Sequence, residues 1–187
     1  MNKQDAIDVL NRYMDGKDNV KKDVLKSAFS EDGKVTFDIR VGNINFPDEL
    51  NGNEQIATEM FGDFHDAFSQ VKSYYLDQDF IELDQHRVVN QHWLVSMKER
   101  DSGNTRIGSG LYNWYFQKDE GNGWVISHVH IVIQHMISFA NQNEWLSKLQ
   151  QKLADYPWAS KNEVVEFLNQ CSELAPISSY LSEDSKG

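Results

Sequence analysis

The stretch LYNWYFQKDEGNGWVISHVHIVIQH, Leu111 to His135, decides how this chain folds. Two runs of aromatic and β-branched residues flank Glu120-Gly121-Asn122-Gly123, and runs of that kind joined by a Gly/Asn turn read as a β-hairpin. Side chains alternate along a strand, so Val125, Val129, Ile131 and Ile133 form one apolar set. His128 and His130 fall on the opposite face with Trp124, Ile126, Val132 and Gln134, while His135 alternates away from them. The apolar set is the default core face. The histidine face then lines a pocket or forms an interface with another protomer or the tail, and imidazoles, which titrate near neutral pH, suit each role.

The period of two extends upstream through Val71–Leu83, Arg87–Glu99 and Ile107–Lys118, with turn chemistry at Asp84-Gln85 and at Asp101-Ser102-Gly103-Asn104. Connections this short imply an antiparallel meander, and Gly108 and Gly110 mark places where the sheet can curl. Before the meander the period is helical. Ala6, Val9, Leu10, Tyr13 and Met14 form one stripe that Gly16 stops, and Val20, Val24, Leu25, Ala28 and Phe29 form a second. A turn at Ser30–Gly33, a strand at Lys34–Arg40 and a loop or edge at Pro47 follow. Asn51–Gln70 reads as one amphipathic helix with an Asn cap, because Ile56, Met60, Phe64 and Phe68 recur at four-residue steps beside Phe61. Beyond the hairpin, Trp145, Leu149 and Leu153 mark a helix. Ser160–Glu163 is a capping box opening another, and SEDSKG at the end should fray.

The expected fold class is therefore α+β. Residues 1–140 form a cone-shaped curved antiparallel sheet wrapped around N-terminal helices, and residues 141–187 form a C-terminal helical extension. With 187 residues, a net charge of -11 and 40% hydrophobic residues, the chain fits one globular unit with an appendage. No apolar run nears the roughly 20 residues a membrane helix needs, and the first residues lack signal-peptide features, so we expect a cytoplasmic protein with no membrane partner. Cys171 is the single cysteine, which excludes an intrachain disulfide or a cysteine-based zinc cluster. The negative charge argues against nucleic acid. The basic stretch Lys17–Lys26 is interrupted by Asp18 and Asp23 and reads as the solvated face of a helix.

Three segments, VLNRYMDGKDNVKKDVLKSAFSEDGKV from Val9, NGNEQI from Asn51 and LYNWYFQKDEGNGWVISHVHI from Leu111, resemble the nuclear transport factor 2-like superfamily. Its members include SnoaL-like polyketide cyclases, ketosteroid isomerases and scytalone dehydratase. The resemblance spans about Asp5 to Ile137 and implies a pocket between the first helix and the sheet. In the isomerase branch it implies that Tyr13 donates a hydrogen bond to a substrate oxygen. The base position of that branch falls on Phe37, with Asp38 one step later on the opposite strand face. In the dehydratase branch the histidine-bearing strand corresponds to SYYLDQ, where Tyr74 or Tyr75 replaces the imidazole.

The candidate catalytic residues are accordingly Tyr13 and Asp38, the latter acting as a base if the strand register moves by one. Candidate ligand-binding residues are Tyr74, His92, Ser109, Asn113, His128 and His130. Ser109 and Asn113 share a face and supply polar groups inside the cone, unless that face is the exposed one. No cofactor and no metal is expected, since a metal site would need His92 from another strand beside histidines that alternate in facing. The expected function is binding of a small hydrophobic molecule by a homodimer, extending to a cofactor-free lyase, isomerase or cyclase acting on a hydrophobic carbonyl compound. The alternative is a non-catalytic ligand-sensing or protein-interaction module. A hollow cone favours the first reading, and one filled by aromatic residues favours the second.

Overall fold

The computed structural model describes residues 1–60, 62–78, 83–140 and 143–183, apart from the side chains of Asp63, Phe64 and Asn143. Two helices open the chain, α1 (Lys3–Asp18) and α2 (Lys22–Ala28). The Asn2 side chain accepts from the Asp5 amide while the Asp5 carboxylate accepts from the Asn2 amide, a reciprocal cap that fixes the start of α1. Gly16 does not stop α1. It is the point of closest approach to α2, where a Cβ would lie 2.5 Å from the Leu25 amide nitrogen. The helix runs on to Asp18, which places Lys17 one turn beyond Tyr13 on the same face.

Strands β1 (Phe29–Ile39) and β2 (Glu49–Asn51) follow, then α3 (Asn53–Glu59) and α4 (Gly62–Ala67). The single helix expected over Asn51–Gln70 is thus two short ones, and its last residues belong to the sheet. The cap of α3 is Gly52 at φ +82°, a conformation open to glycine, and its amide donates to Gly33 O at 2.7 Å. Phe68 pairs with Glu99, so sheet pairing overrides the four-residue periodicity there. Phe61, the Phe64 side chain, residues 79–82 of the expected third-to-fourth strand region and the last four residues of the chain lie outside the described residues.

The meander is β3 (Phe68–Leu76), β4 (Arg87–Glu99), β5 (Thr105–Asp119) and β6 (Gly123–Phe139). All its neighbouring pairs are antiparallel, as the turn spacing implies. The whole sheet is nevertheless mixed, in the order β2-β1-β6-β5-β4-β3-β7, because β1 joins parallel to β6 and the two-residue β7 (Trp158–Ala159) joins parallel to β3. Its concave face carries the main core: Val35, Tyr75, Trp93, Val95, Met97, Tyr112, Trp114, Val129, Ile131 and Ile133 meet Leu10, Tyr13 and Met14 of α1. Gly108 and Gly110 curl the sheet, for a Cβ on Gly110 would lie 1.9 Å from Val132 O.

After β6 come α5 (Asn143–Lys152), β7, α6 (Lys161–Leu168), a 3₁₀ turn at Ser172–Leu174 and α7 (Ala175–Glu183). Ser160 precedes α6, but its side chain makes no capping hydrogen bond. Leu149, Leu153, Val164, Phe167, Leu168, Ile177 and Leu181 pack against Tyr74, Leu76, Leu94, Ile107 and Phe139 on the convex face of the sheet. The extension therefore covers the part of that face formed by these residues. Among the described residues no helix is long and apolar enough to cross a membrane.

Candidate functional site

The cone encloses a cavity of about 70 Å³ between α1 and the concave face. Phe37, Ile44, Phe46, Met60, Trp93, Val95, Met97, Tyr112, Ile131, Ile133 and Met136 make its wall apolar, while Tyr13, Lys17 and Ser73 bring polar atoms to it. Tyr13 is fully buried and packs edge-on against Phe29 and Trp114, at 5.9 and 5.0 Å between ring centres. Its hydroxyl, like the Trp93 indole N–H, makes no well-formed hydrogen bond among the described residues. Burial pushes the Tyr13 phenol well above its ordinary range, with the neighbouring Tyr112 and Tyr75 adding to the effect. The group therefore stays protonated, its proton interacting loosely with the Tyr112 hydroxyl beside the cavity.

At the polar end of the cavity lies a buried ion pair. Lys17 is 8% exposed, and its ammonium donates to Asp18 Oδ1 and, at 2.7 Å, to Ser73 Oγ. These contacts occupy two of the three N–H bonds of the ammonium. Asp18 Oδ1 also accepts from Ser73 Oγ at 3.1 Å, and Oδ2 accepts from the Ser73 amide and from the Tyr156 hydroxyl, the latter at 3.2 Å. Its side chain is 2% exposed. Four donors fill the acceptor positions of this carboxylate, so it has no lone pair free to take a proton from a ligand while the network is intact. His65 Nε2 meets Lys17 O at 3.1 Å and ties the end of α1 to α4. The site is thus a small apolar chamber with a neutralised ion pair at one end and, in its wall, the Trp93 indole and the Tyr13 hydroxyl without well-formed bonds.

No protein-family model and no curated protein matches this sequence. Solved structures do. A type 2 hexachlorocyclohexane dehydrochlorinase (LinA) aligns over 72% of this chain and 86% of its own, with 14% identity and a TM-score of 0.60. A nuclear transport factor 2-like superfamily protein from Salmonella enterica aligns over 69% and 88%, with 24% identity and a TM-score of 0.56. ActVI-ORFA from Streptomyces coelicolor aligns over 70% and 95%, with 14% identity and a TM-score of 0.53. The chain has the nuclear transport factor 2-like fold.

Within this fold the residues singled out from sequence divide between the two faces of the sheet. Tyr13 reaches the cavity, as the resemblance implied. Asp38 does not, and the register stays where the ungapped reading put it: Phe37 lines the cavity and stacks on Phe46 at 4.8 Å, while Asp38 points outward to Arg40. Tyr74 is buried under the extension, with its ring edge-on to Tyr156 at 5.9 Å. His92 and Ser109 also lie on the convex face. The His92 ring meets Tyr180 of α7 at 5.5 Å, and Ser109 Oγ lies 3.4 Å from His135 Nδ1. Asn113 sits on that face too, where its side-chain oxygen accepts from the Asn90 amide.

His128 and His130 flank Thr36, whose hydroxyl lies 2.8 Å from His128 Nε2 and 2.9 Å from His130 Nδ1. Tyr115 stacks on His128 at 5.2 Å. His135 joins them on the convex face, contrary to strict alternation. The pairing of β5 with β6 skips one residue between Ser109 and Gly110, so that His135 and Ile133 are successive partners and Gln134 bulges. A second shift, between Tyr115 and Phe116, leaves Ser127 as the extra residue and sends Ile126 to the core. Lys17, Asp18 and Ser73 are the site residues that reading the sequence missed. The signal was present in the helical period, since Leu10, Tyr13 and Lys17 continue one stripe past Gly16.

Proposed function

We propose that the cone binds a small, neutral, largely apolar molecule with one hydrogen-bond acceptor, a hydrophobic carbonyl compound being the simplest case. The observation that carries this reading is a pair of buried donors without a well-formed bond, Trp93 Nε1–H and a Tyr13 Oη–H that interacts only with Tyr112, in a cavity wall that Lys17 also reaches. A buried donor without an acceptor costs about 1–3 kcal/mol, and a ligand oxygen relieves that cost. Charge selects a neutral ligand over a carboxylate, because Asp18 already neutralises Lys17, the one cation among the described residues of the lining. The filled lone pairs of Asp18 favour binding and polarisation of the ligand over proton abstraction.

The volume of the chamber supports a second reading from the same geometry, ligand sensing without turnover. A cavity of about 150 Å³ holds benzene, and 70 Å³ is half of that. Larger ligands require movement of Ile44, Phe46 and Met60, which separate the chamber from a neighbouring groove of about 310 Å³. A cytoplasmic homodimer, joined through the part of the convex face that the extension leaves open, belongs to the same proposal; sedimentation tests the dimer.

The binding test uses cyclohexanone, methylenecyclohexane and cyclohexanecarboxylate, three probes of similar shape, titrated by NMR. Cyclohexanone should perturb the Tyr13 and Trp93 resonances at millimolar concentration, the hydrocarbon should bind at least about fivefold more weakly, and the carboxylate should not compete. Equal binding of ketone and hydrocarbon, or an undiminished response in Tyr13→Phe, refutes the acceptor-binding reading.

A further inference from the structure

We propose that Tyr156, in the segment between α5 and β7, is a positioning residue of the cavity, its hydroxyl fixing the Asp18 carboxylate that anchors Lys17. The inference rests on the reading of Lys17 as the ligand-facing cation. It makes the extension a component of the site.

The Tyr156 hydroxyl lies 3.2 Å from Asp18 Oδ2 and 3.4 Å from Met14 O. One phenol proton serves both, and the charged, nearer acceptor takes the larger share. Burial and the charge of Asp18 push the Tyr156 phenol well up from its ordinary range, so it remains a donor. The ring is held from two sides, by the Lys72 ammonium 5.5 Å from its centre and by Tyr74 edge-on at 5.9 Å. The segment beyond it is fixed independently. The Tyr75 amide donates to Pro157 O at 2.7 Å, Trp158 Nε1 donates to Asn11 Oδ1 at 2.8 Å, and the Trp158 ring lies 4.9 Å from Tyr75.

These contacts bind one stretch of the extension to α1 at Asn11, Met14 and Asp18. Only the last of them touches the ion pair. Asp18 Oδ2 has two donors, the Ser73 amide and Tyr156, and they approach from different elements. Loss of the phenol proton frees the carboxylate to turn about its remaining bonds, and Lys17 follows because Asp18 Oδ1 is one of its two partners.

The test observes the Lys17 ammonium directly in the intact chain by ¹⁵N-lysine NMR, reading the exchange of its protons with water. No ligand is needed, so failure of cyclohexanone to bind and failure of this test are separate results. Tyr156→Phe should speed the exchange roughly tenfold, the weight of one charge-assisted hydrogen bond. Trp158→Phe loosens the same segment but keeps the hydroxyl, and should leave the exchange within about twofold of the original. An unchanged Lys17 signal in Tyr156→Phe overturns the proposal, as does an equal effect of Trp158→Phe, which would reduce the segment to packing. Should Tyr156→Phe fail to fold, 3-fluorotyrosine at position 156, a stronger donor of nearly the same shape, decides the matter. It must slow the exchange, and no slowing overturns the proposal.

Discussion

Replacement of Lys17 by methionine tests the buried ion pair most directly. The Lys17 side chain is 9% exposed and that of Asp18 is 2% exposed, so solvent screens the pair very little. Methionine keeps the length and apolar stem of lysine and removes the charge, which leaves the Asp18 carboxylate buried with only neutral donors: Ser73 N, Ser73 Oγ and the Tyr156 hydroxyl. Breaking one side of such a pair typically costs about 3–5 kcal/mol. For a chain of this size each kcal/mol moves the melting temperature by about 2–4 °C, so Lys17→Met should melt roughly 6–20 °C below the parent. The double variant Lys17→Met/Asp18→Asn should recover most of the loss. Asparagine is neutral, and its oxygen can still accept from Ser73 or Tyr156. Chemical and thermal denaturation of the parent, both single variants and the double variant complete the cycle. A loss below about 1 kcal/mol in Lys17→Met is the value of an exposed pair and would refute burial of this one. A double variant as unstable as Lys17→Met would show that the damage lies in packing.

Tyr13→Phe removes a buried hydroxyl whose one hydrogen-bonding neighbour is Tyr112, so stability in denaturant titrations should stay within about 1 kcal/mol of the parent while cyclohexanone binding weakens. Gly16→Ala, which in an ordinary helix would stabilise by up to about 1 kcal/mol, should instead destabilise by about 1–3 kcal/mol, because the new Cβ meets Leu25 backbone. The pH dependence follows from His65, His128 and His135, all shifted down, chiefly by burial; His130 and Lys34 add to the shift at His128, whereas at His65 the bond to Lys17 O opposes it. Their folded values lie below the unfolded one, so as pH falls through about 6.5 the unfolded chain takes up protons first and stability declines. Melting temperatures measured from pH 7.5 to pH 5.5 should fall, and His128→Gln should flatten part of that slope.

The concave face was legible because alternation on a strand is a local property. Val129, Ile131, Ile133, Trp93 and Val95 point inward as a period of two requires, and the bounds of β4 match the apolar run. The bulges at Ser127 and Gln134 were not legible, since each depends on how β5 and β1 register against β6. Nor was the break after α3, where pairing of Phe68 with Glu99 competes with a sound helical pattern. Tyr13 was found because it lies on the apolar stripe of α1. Lys17 and Asp18 were assigned to a solvated face because charge usually marks one, and their partners Ser73 and Tyr156 are 56 and 138 residues away. A sequence window around Lys17 contains neither. The parallel pairing of β1 with β6, between a strand that precedes the meander and the last strand of the meander itself, was invisible for the same reason.

That separation along the chain has a temporal consequence. Helix α1 leaves the ribosome early, yet Asp18 finds the Ser73 amide 55 positions later and the Tyr156 hydroxyl 138 positions later. At about 5–20 residues per second, the interval between Asp18 and Tyr156 is roughly 7–28 seconds of synthesis. Until Ser73 is made the carboxylate and the ammonium have only water and each other, and until Tyr156 is made the network stays incomplete. Contacts between distant residues form slowly because loop closure precedes any gain from them. The chamber is therefore a late product of biogenesis. A nascent chain halted before Tyr156 can display α1 to α5 and most of its sheet, but its Asp18 carboxylate still lacks one of the four donors that hold it.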